Sequence, residues 1–275
     1  MRCIDTTLHV DGRGEPVKIV FLGDTHLGNG DTDEDLVKQT AQRLGEDGTY
    51  WVDLGDACDF INMHDKRFDA ASLPPWIGLA DLADLADLAT AQVQRYVDIF
   101  KPYAETCLCR LQGNHEDSIR KRYERDVYHE INASMGISRD RAPGYGCFLR
   151  LRVYRLEKSD PWTLICFLHH GAGGGMLAGS KALRLERLPM SFDADIYAVG
   201  HTHTKMGLTK RRVGLSPRGK KVVDKPLVLI NSGAFMRSYV QNDGGYVEGG
   251  LLYPQGLGPV EVWIWPQAKE LRVIQ

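Results

Sequence analysis

The sequence has no long hydrophobic run, no excess of positive charge and no signal-peptide core. Its longest apolar run falls far short of the ~18 residues that a membrane span requires, and residues 1–7 lack the hydrophobic core of a signal peptide. Lys and Arg together number 34 against 36 Asp and Glu, which gives a net charge of −2. These absences argue against a membrane protein and against binding to polyanions through overall charge. They predict a cytoplasmic protein.

The six cysteines give no sign of a disulfide framework or a zinc site. Most lie inside apolar, strand-like runs, where cysteine acts as a small buried hydrophobe in a reducing compartment. Cys107 and Cys109 lie in one such run, and we expect their thiols to lie on opposite faces of a sheet. We therefore expect no zinc pair there.

What the sequence does contain is five short clusters of metal-ligand residues in a fixed order. They are Asp24-Thr25-His26, Gly55-Asp56, Gly113-Asn114-His115-Glu116, His169-His170-Gly171 and Gly200-His201-Thr202-His203. Each follows a run that is typical of a buried strand, at residues 17–22, 50–54, 106–111, 163–168 and 196–199. Strand ends at one edge of a sheet can direct their side chains to one point. Carboxylate, imidazole and amide ligands without a thiolate suit divalent manganese, zinc or iron.

The order of these clusters resembles the signature of the calcineurin-like metallophosphoesterases. That signature reads D-x-H, G-D, G-N-H-[D/E], H and G-H-x-H, and every part of it is present between Asp24 and His203, about two thirds of the chain. The resemblance implies an α/β (α+β) fold with two packed, mixed β-sheets flanked by helices, a four-layer αββα sandwich. It also implies a two-metal hydrolase of phosphate esters. The substrate stays open, because the family spans protein phosphatases, nucleases, cyclic-nucleotide esterases and lipid pyrophosphatases.

The resemblance further implies a ligand set for two divalent cations. Asp56 matches the aspartate that bridges the two metals. The remaining ligands are Asp24, His26 and His203 for one metal, and Asn114, His201 and one histidine of the 169–170 pair for the other.

Only one of His169 and His170 can face the metals, because side chains alternate along a strand. Members of the family commonly show His-x-Gly or His-x-Pro after this strand, with the first histidine as the ligand. We therefore predict His169 as the ligand, and His170 as a residue that either supports the ligands from behind or faces the substrate. The glycines at 173–175 either allow close approach of the backbone to a ligand or form a tight loop.

The chemistry of phosphate ester hydrolysis explains why such a site needs two metals. The cations neutralise the phosphoryl oxygens and lower the pKa of a bridging water, so that a metal-bridging hydroxide attacks phosphorus. By the resemblance, His115 is a general acid for the leaving oxygen and not a ligand. Glu116 is expected to orient His115 and keep its pKa high. Asn114 offers a neutral amide oxygen beside the substrate, which does not repel phosphate.

We expect one metallophosphoesterase domain over residues 1–275, with a helical insertion at about residues 60–103. The middle of this insertion, residues 79–89, repeats Leu, Ala and Asp and contains no Gly or Pro, which favours a helix. Such a helix either packs with one side on the domain or forms a cap or an oligomer contact. The oligomeric state stays open.

Three basic segments bear on the substrate. Arg67 either clamps a phosphate oxygen or is a solvated charge on a loop. The basic run at residues 120–125 lies on a predicted helix beside His115, either as a solvated face or with Arg120 reaching the substrate. A predicted hairpin carries another basic tip at residues 210–221.

These features predict a dimetal phosphoesterase that hydrolyses small phosphomonoesters or phosphodiesters. The alternative is a metal-dependent nuclease acting on DNA or RNA, which the basic patches at 120–125 and 210–221 favour. The net charge of −2 favours small esters instead. A more remote alternative is an inactive scaffold with the same fold, which would be expected to have lost ligands, and no part of the signature is missing here.

Overall fold

The chain forms eleven strands and five α-helices within the part that the computed structural model describes. The described residues are 1–10, 14–61, 63–77, 85–155, 161–175, 177–216, 219–239, 248 and 253–275. The strands are β1 (Arg2–His9), β2 (Val17–Leu22), β3 (Thr49–Asp53), β4 (Cys107–Arg110), β5 (Gly146–Tyr154), β6 (Trp162–His169), β7 (Ile196–Val199), β8 (Lys205–Leu215), β9 (Val222–Ser232), β10 (Val260–Trp265) and β11 (Glu270–Ile274). The helices are α1 (Glu34–Arg43), α2 (Leu85–Phe100), α3 (Asn114–Tyr123), α4 (Val127–Met135) and α5 (Ala178–Arg187).

The strands form two mixed sheets. The first has six strands in the order β1-β5-β6-β7-β9-β8, and the second has five in the order β11-β10-β2-β3-β4. Parallel pairing joins β2 to β3, β3 to β4, β6 to β7 and β7 to β9. The predicted hairpins are present as the antiparallel pairs β5–β6 and β8–β9.

Alternation of side chains along the strands forms the core between the sheets. The residues of β5 that face this core are Cys147, Leu149, Leu151 and Val153, all fully buried. They share one cluster with Ile19 of β2 and Val262 of β10, in the other sheet. Burying one Leu or Val side chain contributes about 1.5–3 kcal/mol. A one-residue slip would turn this whole set outward, so the core fixes the register.

Helices cover the outer face of each sheet. Trp51 of β3 shares a buried cluster with Val37 of α1 and Tyr96 of α2 on the outer face of the second sheet. Phe167 of β6 shares another with Leu185 of α5 on the outer face of the first sheet. The layers therefore run helices, sheet, sheet, helix. The predicted four-layer αββα architecture is confirmed.

The cysteines behave as small buried hydrophobes. All six are free thiols, and every one except Cys3 is buried. Cys109 lies in the core between the sheets, whereas Cys107 lies in the cluster under the helices. The two thiols thus occupy opposite faces of the second sheet. Residues i and i+2 of a regular strand share a face, so this placement depends on the register shift between Trp51 and Val52 where β3 pairs with β4.

The described part of the predicted insertion contains α2, which packs on the second sheet. Phe100 and Tyr96 are fully buried, and their rings lie 4.6 Å apart, with Phe100 also 5.6 Å from Trp51. Residues 78–84, which carry most of the Leu-Ala-Asp repeat, lie outside the described residues. The extent of the domain and of its insertion stays a prediction. No helix within the described ranges is long and apolar enough to span a membrane.

Candidate metal centre

The candidate ligands lie on loops directly after strands of both sheets. In the second sheet, Asp24 follows β2, Asp56 follows β3, and Asn114 begins α3 after β4. In the first sheet, His170 follows β6 and His201 follows β7. Because these strands are parallel within each sheet, their carboxyl ends lie at one edge. The two edges meet at the candidate site.

The backbone of these loops adopts left-handed conformations that most side chains avoid. Five candidate ligands have a positive φ: Asp24 (53°), His26 (44°), Asp56 (54°), His201 (70°) and His203 (53°). Nine non-glycine residues in the described part of the chain have a positive φ, so these five are the majority. Such conformations cost about 1–3 kcal/mol each and cluster at functional sites, where the surrounding structure holds them.

Gly113 is required where two of these loops come closest. A Cβ at this position would lie 2.0 Å from Asp56 Oδ1, which no real side chain tolerates. The absence of a side chain lets the next loop approach, and the His115 amide donates a hydrogen bond to Asp56 Oδ1 at 2.9 Å. The glycine before Asn114 is therefore a packing requirement of the site.

Asp24, His26 and His203 form the first cluster of the site. The Nε2 atoms of the two histidines lie 3.0 Å apart, and His203 Nε2 is 3.7 Å from Asp24 Oδ1. Asp24 and His26 are buried, while His203 is partly exposed. The Asp24 carboxylate also accepts a hydrogen bond from the His201 amide at 2.8 Å, which links this cluster to the next.

Asp56, Asn114, His170 and His201 form the second cluster. Asn114 Oδ1 lies 3.0 Å from His170 Nε2 and 2.7 Å from His201 Nδ1. Asp56 Oδ2 lies 3.4 Å from His170 Nε2 and 3.8 Å from His26 Nε2. Asp56 therefore stands between the two clusters, where a bridging carboxylate would have to be.

The donor atoms of both clusters fit divalent cations. Each cluster brings three ligand atoms within 4.8 Å of one another, from Asp24, His26 and His203 in one and from Asp56, His170 and His201 in the other. His170 Nδ1 donates to the Leu54 carbonyl at 2.7 Å, which leaves Nε2 facing the oxygens of Asp56 and Asn114. A histidine whose other nitrogen binds a backbone carbonyl is the usual arrangement of a metal ligand.

The candidate ligands shift one another's pKa values when no cation is bound. Burial raises the pKa of Asp24 to about 7, and the Asp56 carboxylate contributes to the rise. Burial lowers the pKa of His170, but the Asp56 carboxylate outweighs it and raises that pKa to about 10. Burial, helped by the neighbouring His26, keeps the pKa of His203 well below its usual value. Metal binding requires protons on such ligands to leave.

The structure brings His170, and not the predicted His169, to the candidate ligands. Side chains alternate along β6 up to Leu168. Leu168 faces the core between the sheets, and Phe167 faces the outer helix. His170 continues the inner face and is 1% exposed, so it points to the ligands and not to a substrate. His169 continues the outer face: it stacks on Phe167, and its Nδ1 accepts from the Gly171 amide at 2.9 Å. The sequence-based choice of His169 is thus corrected to His170.

His115 lies beside both clusters and borders the cavity above them. Its Nδ1 donates to the Asp59 carbonyl, and its ring meets His26 edge-on at 4.6 Å between centroids. Sequence reasoning missed Asp59, whose Oδ1 lies 3.4 Å from His26 Nδ1 and 3.8 Å from His115 Nδ1. The available signal was an acidic residue three positions after Asp56, on the same loop.

Glu116 does not orient His115, contrary to the prediction. Its carboxylate accepts hydrogen bonds from the amides of Gly113 and Ala57 at 2.9 Å and from the Asp56 amide at 3.3 Å. Glu116 is the third residue of α3, so its side chain turns back to cap the helix and the neighbouring loop. The fully buried Arg110 lies 3.5 Å behind it. Glu116 therefore holds the backbone that carries Asp56.

The two arginines proposed as substrate contacts differ in their placement. Arg67 lines the cavity, where its guanidinium makes two hydrogen bonds to Asp65 at 3.0 and 2.9 Å. Arg120 pairs with Asp117 one turn back on α3 and is not among the described residues that line the cavity. The interpretation of Arg120 as part of a solvated helix face agrees with the structure, and its predicted reach to the substrate does not.

The candidate centre opens into a cavity of about 340 Å³. Its polar wall is formed by His26, Asn114, His115, His201 and His203. Another part of the cavity wall is apolar and is formed by Ile61, Ala234, Met236, Tyr253 and Leu257. The glycines at 173–175 and Lys181 complete the rim. The volume suits a small ligand.

Comparison with known proteins gives matches among solved structures alone. No protein-family model matches the chain, and no curated protein matches it. A protein from Streptococcus pneumoniae described as a predicted phosphoesterase aligns over 95% of this chain and 99% of its own, at 11% identity and a TM-score of 0.36.

Two further solved structures align over nearly the whole chain. The phosphoesterase Yfce from E. coli aligns over 94% of this chain and 98% of its own, at 15% identity and a TM-score of 0.37. A metallophosphoesterase from Sphaerobacter thermophilus aligns over 93% of this chain and 87% of its own, at 14% identity and a TM-score of 0.37. Identities and TM-scores this low leave the activity to be inferred from the residues of the chain itself.

Proposed function

We propose that this protein is a dimetal phosphoesterase of the calcineurin-like type that hydrolyses small phosphate esters. The observation that supports it is the position of Asp56 between two clusters of ligand atoms, at 3.4 Å from His170 Nε2 and 3.8 Å from His26 Nε2. A carboxylate shared between two cations is the simplest way to keep them close enough to act on one phosphate.

Seven side chains would hold the two cations. They are Asp24, His26, Asp56 and His203 for one, and Asp56, Asn114, His170 and His201 for the other. Two divalent cations, manganese, zinc or iron, supply positive charge against the phosphoryl oxygens and activate water for attack. The set of nitrogen and oxygen donors, without thiolate, suits these ions.

His115 would donate the proton that the leaving oxygen needs. Its Nδ1 is engaged by the Asp59 carbonyl, so Nε2 is the nitrogen available for proton transfer. His115 borders the cavity and is 9% exposed, so it reaches the substrate while bulk water has little access. Asp59 keeps the ring in this orientation. A positioned general acid of this kind contributes about 10²–10⁴-fold to the rate.

The charges around the site favour small esters over nucleic acid. On the β8–β9 hairpin, Lys210 pairs with Glu186, and Arg211 pairs with Asp224. On α3, Lys121 and Arg120 both pair with Asp117. Cations that already have carboxylate partners gain less from a phosphate backbone. Several cations of both predicted basic patches thus already have carboxylate partners within the protein.

A panel of substrates tests this function. Metal-loaded protein would be assayed side by side on p-nitrophenyl phosphate, bis(p-nitrophenyl) phosphate, single-stranded DNA and double-stranded DNA at several salt concentrations. We expect turnover of a small ester that changes little with salt. Efficient DNA cleavage that falls by about 10³-fold or more with added salt, alongside poor turnover of both esters, would establish the nuclease instead. No turnover of any substrate with any of the three metals would favour an inactive scaffold.

A further inference from the structure

Lys181 is a buried cation in the wall of the catalytic cavity. It lies on α5, it is 9% exposed, and its ammonium donates to the Thr202 carbonyl at 3.0 Å and to Thr204 Oγ1 at 2.5 Å. Both acceptors are neutral. Across the described part of the chain, Lys181 makes no salt bridge to a carboxylate. An ammonium has three donors, so one remains available.

Arg184, one turn further along α5, shows the same lack of an acidic partner. Its guanidinium donates to the carbonyls of Ala172, Gly173 and Gly174 at 3.0, 2.9 and 2.5 Å. Among the residues that the structure describes, it too forms no salt bridge. Arg184 thus binds the backbone carbonyls of the glycine loop, which we define as residues 172–175.

Within the described part of the chain, the amides of the glycine loop have no hydrogen-bond acceptor. None of the four donates a hydrogen bond to any described residue. The glycines of this loop line the cavity together with Lys181. With its carbonyls turned towards Arg184, the loop can present its amides to a ligand at the rim. Successive free amides of this kind form anion-binding concavities.

A buried ammonium without a counter-ion is costly to maintain. Charged groups are rarely buried unless they are paired. Burial, with a contribution from Arg184, lowers the pKa of Lys181, which reflects that cost. A bound anion would provide the missing partner. Arg184 and the free amides of the glycine loop, both beside Lys181, also indicate a negatively charged ligand.

We propose that Lys181 and the glycine loop bind a second phosphate group of the substrate, next to the phosphate that is hydrolysed. This inference rests on the proposed phosphoesterase function. Thr202, the acceptor of Lys181, stands between His201 and His203, so the ammonium is directly beside the candidate metal centre. The donors belong to two separate elements, α5 and the glycine loop, and both line the cavity that the candidate ligands also line.

Equilibrium binding of two non-hydrolysable probes tests this second site. The affinities of methylphosphonate and methylenediphosphonate for the metal-loaded protein would be measured by calorimetry, with metal content determined for every variant. The readout is the ratio of the two dissociation constants. We expect the wild-type protein to prefer the diphosphonate, and Lys181→Met to reduce that preference by about tenfold to a hundredfold, as for one charged hydrogen bond. Lys181→Arg, which keeps the charge, should retain much of it.

Lys205→Met is the matched control. Lys205 is also a partly buried lysine that donates to a backbone carbonyl, that of Leu257 at 3.0 Å, but it does not line the cavity. Its replacement should leave the ratio unchanged. Should Lys181→Met lose its metals, Arg184→Gln decides the matter, because releasing the exposed glycine loop should also lower the ratio.

The outcomes separate this inference from the function on which it rests. If Lys181→Met keeps its metals and the ratio of dissociation constants stays at the wild-type value, the second phosphate site is overturned while ester hydrolysis stands. If Lys181→Met loses its metals, an unchanged ratio in Arg184→Gln has the same consequence. Equal loss of affinity for both probes would mean that Lys181 serves the reacting phosphate only, and it overturns the proposal as well. Absence of ester hydrolysis in the wild-type protein would reject the phosphoesterase function itself.

Discussion

The hydrogen bond from His170 Nδ1 to the Leu54 carbonyl fixes which nitrogen of this ring faces the site. The amide oxygen of Asn114 and the carboxylate of Asp56 then surround Nε2. His169, its neighbour, has its own Nδ1 occupied by the Gly171 amide. Two adjacent histidines therefore have different chemistry because of the backbone groups that they meet.

We expect His170→Ala to lose one of the two cations and His169→Ala to keep both. The reason is that only His170 lies within reach of the second cluster. Metal content per chain, measured by mass spectrometry after reconstitution and dialysis, checks this. The two substitutions are matched controls for each other. Loss of metal from His169→Ala alone would restore the assignment made from the sequence.

His115→Ala should reduce turnover by about 10²–10⁴-fold while both metals remain bound, as expected for a general acid that is not a ligand. An ester with a very good leaving group should lose less, because its leaving oxygen needs no proton. The control is His129→Ala, an exposed histidine of α4 that pairs with Asp126. A simultaneous loss of metal and activity in His115→Ala would show that His115 is a ligand.

Asp59→Asn should weaken metal binding by about 10–100-fold, the usual cost of losing a group that orients a ligand. Its carboxylate faces His26 Nδ1 at 3.4 Å, so the substitution removes the negative charge behind that ligand. Titration of the metal-free protein with manganese would measure the change. Unaltered affinity would mean that Asp59 acts on this site only through its backbone carbonyl.

At the scale of elements, α2 anchors the second sheet on the side away from the core between the sheets. Phe100 at the end of α2 is fully buried against Tyr96 and Trp51. Phe100→Ala should lower the free energy of unfolding by about 3–5 kcal/mol, since it leaves a cavity. Denaturant unfolding followed by fluorescence measures this. Gln94→Ala, on the exposed face of the same helix, should change it by about 0.5 kcal/mol or less. Equal effects of the two would show that α2 is not packed as described.

The sequence predicts the strands well because each short apolar run ends in a polar cluster. The runs at 17–22 and 196–199 match β2 and β7 in full, and each of the other three differs from its strand by one residue at each end. The choice between His169 and His170 failed for a physical reason. The family pattern favours the first histidine, but the inward face of β6 decides which histidine reaches the site. Leu164, Cys166 and Leu168 already indicate that face in the sequence.

Contacts to the backbone were beyond the reach of sequence reasoning. The acceptor role of Glu116 towards the Gly113 and Ala57 amides depends on two loops that are distant in sequence and meet only in the fold. Lys181 carries no motif, and its position against Thr202 depends on the packing of α5 beside the first sheet. Such residues become visible only when the strands are placed.

For the molecule as a whole, the two sheets are what make the site. Neither sheet alone carries all the candidate ligands. Asp24, Asp56 and Asn114 follow strands of the second sheet, whereas His170, His201 and His203 follow strands of the first. The core between the sheets therefore holds the two halves of the site together. Any change that separates the sheets should release metal before it unfolds either layer.

Metal stoichiometry of the wild-type protein and of Asp56→Asn tests the central claim most directly. The carboxylate of Asp56 lies within 3.8 Å of His26 Nε2 and 3.4 Å of His170 Nε2, so under the proposed function it should serve both cations. We predict two divalent cations per chain in the wild-type protein and weakened binding of both in Asp56→Asn. A single, tightly held cation that is unaffected by Asp56→Asn would contradict a dimetal centre.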